Sequence, residues 1–158
     1  MAAPRICVVD TTFARVDMGG LAVRELERLV PGARVYRRTV PGLKDVPVEV
    51  LRMVEEYGCD AAMALGWVGG TMTDKYTYLV YSMSLQLVQL MKKIHVIDVT
   101  VHEDEAGSEE ELYRIAVDRV RKHAYNLYLL LLRPSELTRM AGTGRRQGGP
   151  DAGPLRRP

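Results

Sequence analysis

Short apolar runs alternate along the chain with longer stretches whose apolar residues recur every three or four positions, four times over. Residues 6–9 are continuously apolar, as in a strand covered on both faces. Asp17 stands where it can cap a helix carrying Met18, Leu21, Ala22, Leu26 and Leu29 at helical spacing. A second strand over 33–40 is more polar and suits a sheet edge, and Pro41-Gly42 ends it. Asp45 then caps a helix with Pro47 in its first turn and Val50, Leu51, Val54 and Tyr57 on one face, closed by Gly58. Residues 61–65 form a third strand, a third helix runs over about 75–92, and 94–101 form a fourth strand. Ser108 to Glu111 spells a capping box opening a helix to about residue 132. Pro134 interrupts, 135–141 make a short helix, and a Gly/Pro/Arg-rich tail follows. This order predicts an α/β domain over 1–141, with a four-stranded parallel sheet between two helical layers, and a tail over 142–158. Ligands of such sheets bind outside the carboxyl ends of the strands.

The third helix departs from the usual one-sided pattern. Tyr76, Leu79, Val80, Met83, Leu87, Leu90 and Met91 share one stripe, yet Tyr78, Tyr81, Leu85 and Val88 make the opposite side apolar too. A helix apolar nearly all round is buried on both sides. One chain of this size covers one side, so a second subunit is the simplest cover for the other, and a homo-oligomer is expected.

Composition changes this picture little: 47% hydrophobic and 27% charged residues are ordinary for a globular protein. The location of charge matters more than the net +2. From Arg133 onward six arginines face only Glu136 and Asp151, a local +4, which leaves −2 for residues 1–132. The body therefore offers no basic face by count, and no nucleic-acid partner is expected. The longest uncharged stretch, 76–91, is short and polar-interrupted for a membrane span, and the N-terminus lacks signal-peptide patterning, so a cytoplasmic protein without a membrane partner is expected. Cys7 and Cys59 sit in apolar surroundings and read as buried free thiols of a reducing compartment.

Candidate chemistry collects in the four loops after the strands. The first, Asp10-Thr11-Thr12-Phe13, follows an apolar run as an aspartyl-phosphate nucleophile would, but Thr12 stands where that chemistry needs a second aspartate. Phe13, the only phenylalanine, reads either as a core residue turned inward or as a flat platform for an aromatic ligand. Gly66-Trp67-Val68-Gly69-Gly70-Thr71 is glycine-rich without being a dinucleotide fingerprint or a P-loop. His102-Glu103-Asp104-Glu105 lacks metal-ligand spacing and reads as a solvated acidic loop feeding the last long helix. His102 is the exception, because it follows a strand end directly, whereas His95 and His123 read as structural. For the tail the alternatives are a disordered basic segment or docking on a neighbouring subunit.

Taken together, VVDTTFARVDM (8–18), RRTVPGLKDVPV (37–48), GCDAAMALG (58–66), VTVHEDEA (99–106), LTRMAGTGRRQG and DAGP (within 137–154) resemble the archaeal-type riboflavin synthases, relatives of lumazine synthase. The resemblance covers nearly the whole chain, tail included. It implies a flavodoxin-like three-layer subunit in a pentameric ring, with active sites between adjacent subunits. The implied reaction is dismutation of two 6,7-dimethyl-8-ribityllumazine molecules per site to riboflavin and 5-amino-6-ribitylamino-uracil. It requires no cofactor and no metal site, while assistance by a divalent ion such as magnesium stays open.

The resemblance also assigns residues. Phe13 matches the ring-stacking aromatic, within a binding loop of Thr12, Phe13 and Ala14. Asp45 falls where the relatives place a ribityl-binding glutamate, with Pro41, Gly42 and Lys44 beside it. Gly66, Trp67 and Val68 match contacts to the ring's polar edge, and Glu103 joins the binding set. The proton-transfer histidine of lumazine synthase is not matched, because that segment reads Thr71-Met72-Thr73-Asp74-Lys75. His102, acting across an interface, and the pair Asp74 and Lys75 are the catalytic candidates. Lumazine synthase itself, and a non-catalytic flavin- or pterin-binding protein, are the alternatives.

Overall fold

A computed structural model describes residues 2–158. Four strands, β1 (Arg5–Thr11), β2 (Arg34–Val40), β3 (Ala61–Val68) and β4 (His95–His102), form one parallel sheet in the order β2-β1-β3-β4. The central strands are fully covered, every residue of β3 being buried, while β2 is a half-exposed edge as its polar pattern predicts. Helices α1 (Met18–Leu29) and α4 (Glu109–Leu132) pack together on one face of the sheet. Helices α2 (Val46–Tyr57) and α3 (Met72–Lys92) cover the other, and α5 (Pro134–Arg139) follows α4. Each face has its own apolar core: Met18, Leu26, Met63 and Leu127 belong to one, Val50, Met53, Tyr81 and Leu85 to the other. The chain thus folds as the flavodoxin-like three-layer subunit implied above.

Several local expectations hold in detail. Asp17 caps α1, its carboxylate accepting from Gly20 N at 3.1 Å. Ser108 caps α4 through Glu111 N, although the Glu111 carboxylate reaches Gly107 N instead of completing the box. Others are corrected. Asp45 places no side-chain cap on α2; it lies in a 3-10 turn, and its carboxylate turns back to Gly42 N. Helix α3 begins three residues earlier than its apolar pattern, because Thr71 and Asp74 form a reciprocal capping box. The acidic turn Glu103–Glu105 is exposed at Asp104 and Glu105 as expected, but it is not unpaired: Arg15, Lys75 and Arg119 each pair with one of its carboxylates.

Cys7 and Cys59 are not free thiols. They are joined in a disulfide that ties β1 to the loop two residues before β3, beneath α2. Residues 52 apart give no sequence signal of pairing. The parallel register of β1 and β3 brings their backbones together.

One face of α3 packs inward through Tyr81, Leu85 and Val88, while the other remains uncovered. Tyr76, Leu79, Val80, Met83, Leu87, Leu90 and Met91 are each more than half exposed. The doubly apolar pattern therefore has its physical meaning: the chain alone buries one stripe of two. Among the described residues no helix is long and apolar enough to cross a membrane.

Part of the tail meets α4 of its own chain at His123 and Tyr125, while residues 150–158 are all exposed. Gly148, with φ of 76°, lies against the His123 ring, and a Cβ there would fall 2.4 Å from Nε2. His123 is 6% exposed with no partner on Nδ1, and burial pushes its pKa down to about 4. In the unfolded chain that ring takes its proton near 6.5. The unfolded state therefore binds the extra proton first, and stability falls as pH drops from about 6.5 towards 4, by up to about 3 kcal/mol. His123→Gln should flatten the stability–pH curve in that window in urea unfolding; a curve parallel to the wild type contradicts this.

Candidate active site

The loops at the carboxyl ends of β1, β2 and β3 enclose a cleft of about 400 Å³, at the point where chain order along the sheet reverses. Phe13, Pro41, Gly42, Asp45, Trp67, Val68 and Asp74 all line it, together with Leu43, Gly69 and Thr77. The Phe13 ring is 54% exposed, so it is not a core residue turned inward. Its loop is fixed from behind. Thr12 N donates to Val40 O at 2.9 Å, Thr12 Oγ1 donates to Pro41 O at 3.3 Å, and Ala14 N donates to Thr11 Oγ1 at 3.3 Å. Thr12 and Ala14 thus belong to the braced Phe13 loop, and neither is among the residues lining the cleft. Gly66 lies behind the wall: a Cβ there would fall 2.6 Å from Leu43 Cδ2. Lys44 is exposed on the 3-10 turn, outside the lining.

Asp10 is no nucleophile awaiting a substrate. It is 4% exposed, accepts from Arg37 Nη2 and Thr39 Oγ1 at 2.6 Å each, and leaves no room for a Cβ at Gly19. Its charge is already matched.

Trp67 and Glu103 together form a clasp. The buried indole Nε1 donates to Glu103 Oε1 at 2.8 Å, and the same carboxylate accepts from Arg15 Nη1 at 2.9 Å. This ties the loop after β1 and the turn after β4 to the end of β3, and Glu103 is not among the residues lining the cleft. Asp74 borders the cleft but is engaged: the Thr71 hydroxyl, then the Thr71 backbone N–H, bond its carboxylate and hold its pKa below the usual range. Gly69 makes that approach possible, since a Cβ there would fall 2.3 Å from Asp74 Oδ2. By contrast Asp45 spends its carboxylate only on a 3.3 Å contact from Gly42 N and faces the cleft with oxygen to spare.

His102 and Lys75 form a separate cluster beside the cleft, at the free edge of β4. Lys75 Nζ lies 3.1 Å from His102 Nδ1 and 2.7 Å from Asp104 Oδ1. The Tyr78 ring meets the imidazole edge-on at 4.8 Å between centroids. Burial, then the Lys75 ammonium, lowers the His102 pKa. An ammonium only donates, so Nδ1 is the acceptor and the neutral ring carries its proton on Nε2. That N–H is an uncommitted donor. Among the described residues no group of three His, Cys, Asp or Glu side chains is arranged to hold a metal.

A family model described as 6,7-dimethyl-8-ribityllumazine synthase matches residues 3–127. The chain belongs to this family. Within the lumazine synthase family it is similar to the riboflavin synthase of Archaeoglobus fulgidus, 50% identical over 151 residues, 96% of this chain and 98% of that one. It is likewise similar to the riboflavin synthase of Aeropyrum pernix, 53% identical over 150 residues, 94% of this chain and 96% of that one. The riboflavin synthase of Methanothermobacter thermautotrophicus is 48% identical over 151 residues, 96% of this chain and 99% of that one. These matches are too long to fit within residues 3–127, so they reach beyond the part of the chain that the lumazine synthase family model describes.

Sequence reasoning missed Leu43, Gly69 and Thr77 as cleft residues. Leu43 and Gly69 lie inside stretches it singled out, but only the fold shows which side chains of a loop face the cavity. Thr77 carried no signal, since it is one polar residue in an apolar helix.

Proposed function

We infer that the chain is a riboflavin synthase, dismutating two molecules of 6,7-dimethyl-8-ribityllumazine to riboflavin and 5-amino-6-ribitylamino-uracil by transfer of a four-carbon unit. The observation that carries this is near-full-length similarity, at about half identity, to chains bearing that name. The cleft supports it. None of the three histidines lines it, and the segment where lumazine synthase places its proton-transfer histidine is a helix cap. That counts against lumazine synthase as the activity, although the family carries that description.

The two products hold every atom of the two substrates, so the chemistry needs no external oxidant. One ring loses a proton from its 7-methyl group, and the carbanion attacks the other. Phe13 stacks on the bound heterocycle, Asp45 accepts from ribityl hydroxyls, and the backbone at Trp67 and Val68 meets the ring's polar edge. At about 400 Å³ the cleft lies in the lower range of small-ligand sites. It takes one flat ring, and a neighbouring subunit completes the space for the second. The uncovered stripe of α3 is buried between copies in a pentameric ring, and the His102–Lys75 edge of one subunit faces the cleft of the next. Holding two rings face to face removes most of the entropic barrier.

The test is riboflavin fluorescence from purified protein with 6,7-dimethyl-8-ribityllumazine. Riboflavin no faster than the uncatalysed background rejects the assignment, and tight binding without product points to a non-catalytic flavin-binding protein. Phe13→Ala should weaken lumazine binding by roughly tenfold or more, since it removes both stacking and buried area, with an unchanged melting temperature. Unaltered affinity in fluorescence titration would reject the platform.

A further inference from the structure

The C-terminal segment encloses space of its own, at the opposite end of the sheet from the lumazine cleft. Helix α4 starts beside the carboxyl end of β4 and runs back along the sheet, so Lys122 lies about 20 Å along its axis from Glu109. There the tail folds over α4. Thr143 N donates to Met140 O, Ala152 N donates to Gly144 O at 2.9 Å, and Arg146 N donates to Asp151 Oδ1 at 2.9 Å. Two adjoining cavities, of about 270 and 300 Å³, open between tail and helix and share Asn126, Arg145 and Arg146.

Their walls differ. Leu130, Leu137 and Met140 give the first an apolar side, while Lys122 adds a third cation to the second. Neither Arg145 nor Arg146 has a carboxylate within ion-pair distance of its guanidinium among the described residues. The Arg145 guanidinium carbon lies over the Tyr125 ring, 5.3 Å from the centroid, with Nη1 against the Met140 sulfur. The one carboxylate in the lining, Asp151, bonds the Arg146 backbone, and Lys122 pairs with Asp118. Two guanidiniums thus border both cavities with no carboxylate paired to either, beside an amide and an apolar wall. A planar five-donor fork of this kind matches phosphate oxygens two at a time.

We propose that this tail-built cavity binds an organic phosphate: a phosphate monoester seated on Arg145, Arg146 and Asn126, with a flat or apolar body against Leu137 and Met140. The site is separate from the lumazine cleft and uses no residue assigned to the reaction, so it stands or falls independently of that activity. It also gives the glycine-rich tail a purpose, since a Cβ at Gly148 would push the segment off His123 and open the cavity.

Isothermal titration of the full chain in phosphate-free buffer tests this, with phenyl phosphate and inorganic phosphate as probes. Phenyl phosphate should bind saturably and more tightly than inorganic phosphate. The Arg145→Ala/Arg146→Ala variant should weaken it by roughly tenfold or more, as loss of charged hydrogen bonds does. Leu137→Ala should weaken phenyl phosphate alone. Lumazine turnover and circular dichroism serve as folding controls for each variant. Absent saturation at millimolar phenyl phosphate, equal affinity for both probes, or unchanged binding in the double variant each overturns the proposal. A double variant that alters the sedimenting mass, with no phosphate binding in the wild type, overturns it in favour of a subunit contact.

Discussion

Replacing His102 by alanine is expected to lower kcat by roughly 10²–10³-fold with little change in KM, the cost of removing one aimed hydrogen-bond donor from a developing negative charge. The expectation follows from the tautomer. Lys75 occupies Nδ1, so the ring presents an N–H from Nε2, suited to a carbonyl oxygen that gains charge as the methyl proton leaves. His102→Gln keeps an N–H donor and should recover part of the loss. If the ring served instead as a base, glutamine would be as inactive as alanine, and wild-type turnover in either variant would remove His102 from the mechanism. The pH profile carries a second sign. Burial, then Lys75, depresses the His102 pKa, so the ring stays neutral at pH 7 and loses its Lys75 contact only on protonation at lower pH. Wild-type kcat should therefore fall on the acid side through an apparent pKa below 6.5. Lys75→Met removes the ammonium and should move that limb upward, a response that a merely structural histidine would not give.

Reduction of the Cys7–Cys59 bridge is expected to have the largest effect on stability. Closing a loop between residues 52 apart restricts the unfolded chain, a contribution of about 4 kcal/mol on the chain-entropy account. For a chain of this length that corresponds to roughly 8–16 °C in melting temperature. The bridge is buried, so reductant reaches it on unfolding, and thermal scans with and without dithiothreitol should differ by that amount. Cys7→Ala/Cys59→Ala should melt low in both conditions while keeping turnover at room temperature, since neither cysteine lines the cleft. Identical melting of the wild type in both conditions would reject a stabilising disulfide.

The Phe13 loop shows how far sequence reading reached and where it stopped. That an aspartate ends β1 and an aromatic follows it is visible in the string, and so is their place at a strand's carboxyl end. That Asp10 is ion-paired with Arg37 and hydrogen-bonded by Thr39 is not, because those partners come from β2 and meet it only through the parallel register. The same holds for Glu103. Its neighbours in sequence make an acidic run, whereas its partners in space, Trp67 and Arg15, convert it into a clasp. Asp74 reads from the sequence as a partner of Lys75, and only the placed helix start shows that its carboxylate is also half of a capping box.

What the sequence determined by itself are the periodic quantities: the βα alternation, the polar edge strand β2, the cap at Asp17, and two apolar stripes on α3 where a lone chain needs one. Each depends on spacing within a few residues, where backbone geometry alone sets which side chains share a face. What only the tertiary structure decided are pairings between distant segments. These are the Cys7–Cys59 bridge, the separation of a Phe13 cleft from a His102 edge, the exposure of one α3 stripe, and the tail returning over α4. Such contacts depend on which strands lie side by side, and no local period encodes that order.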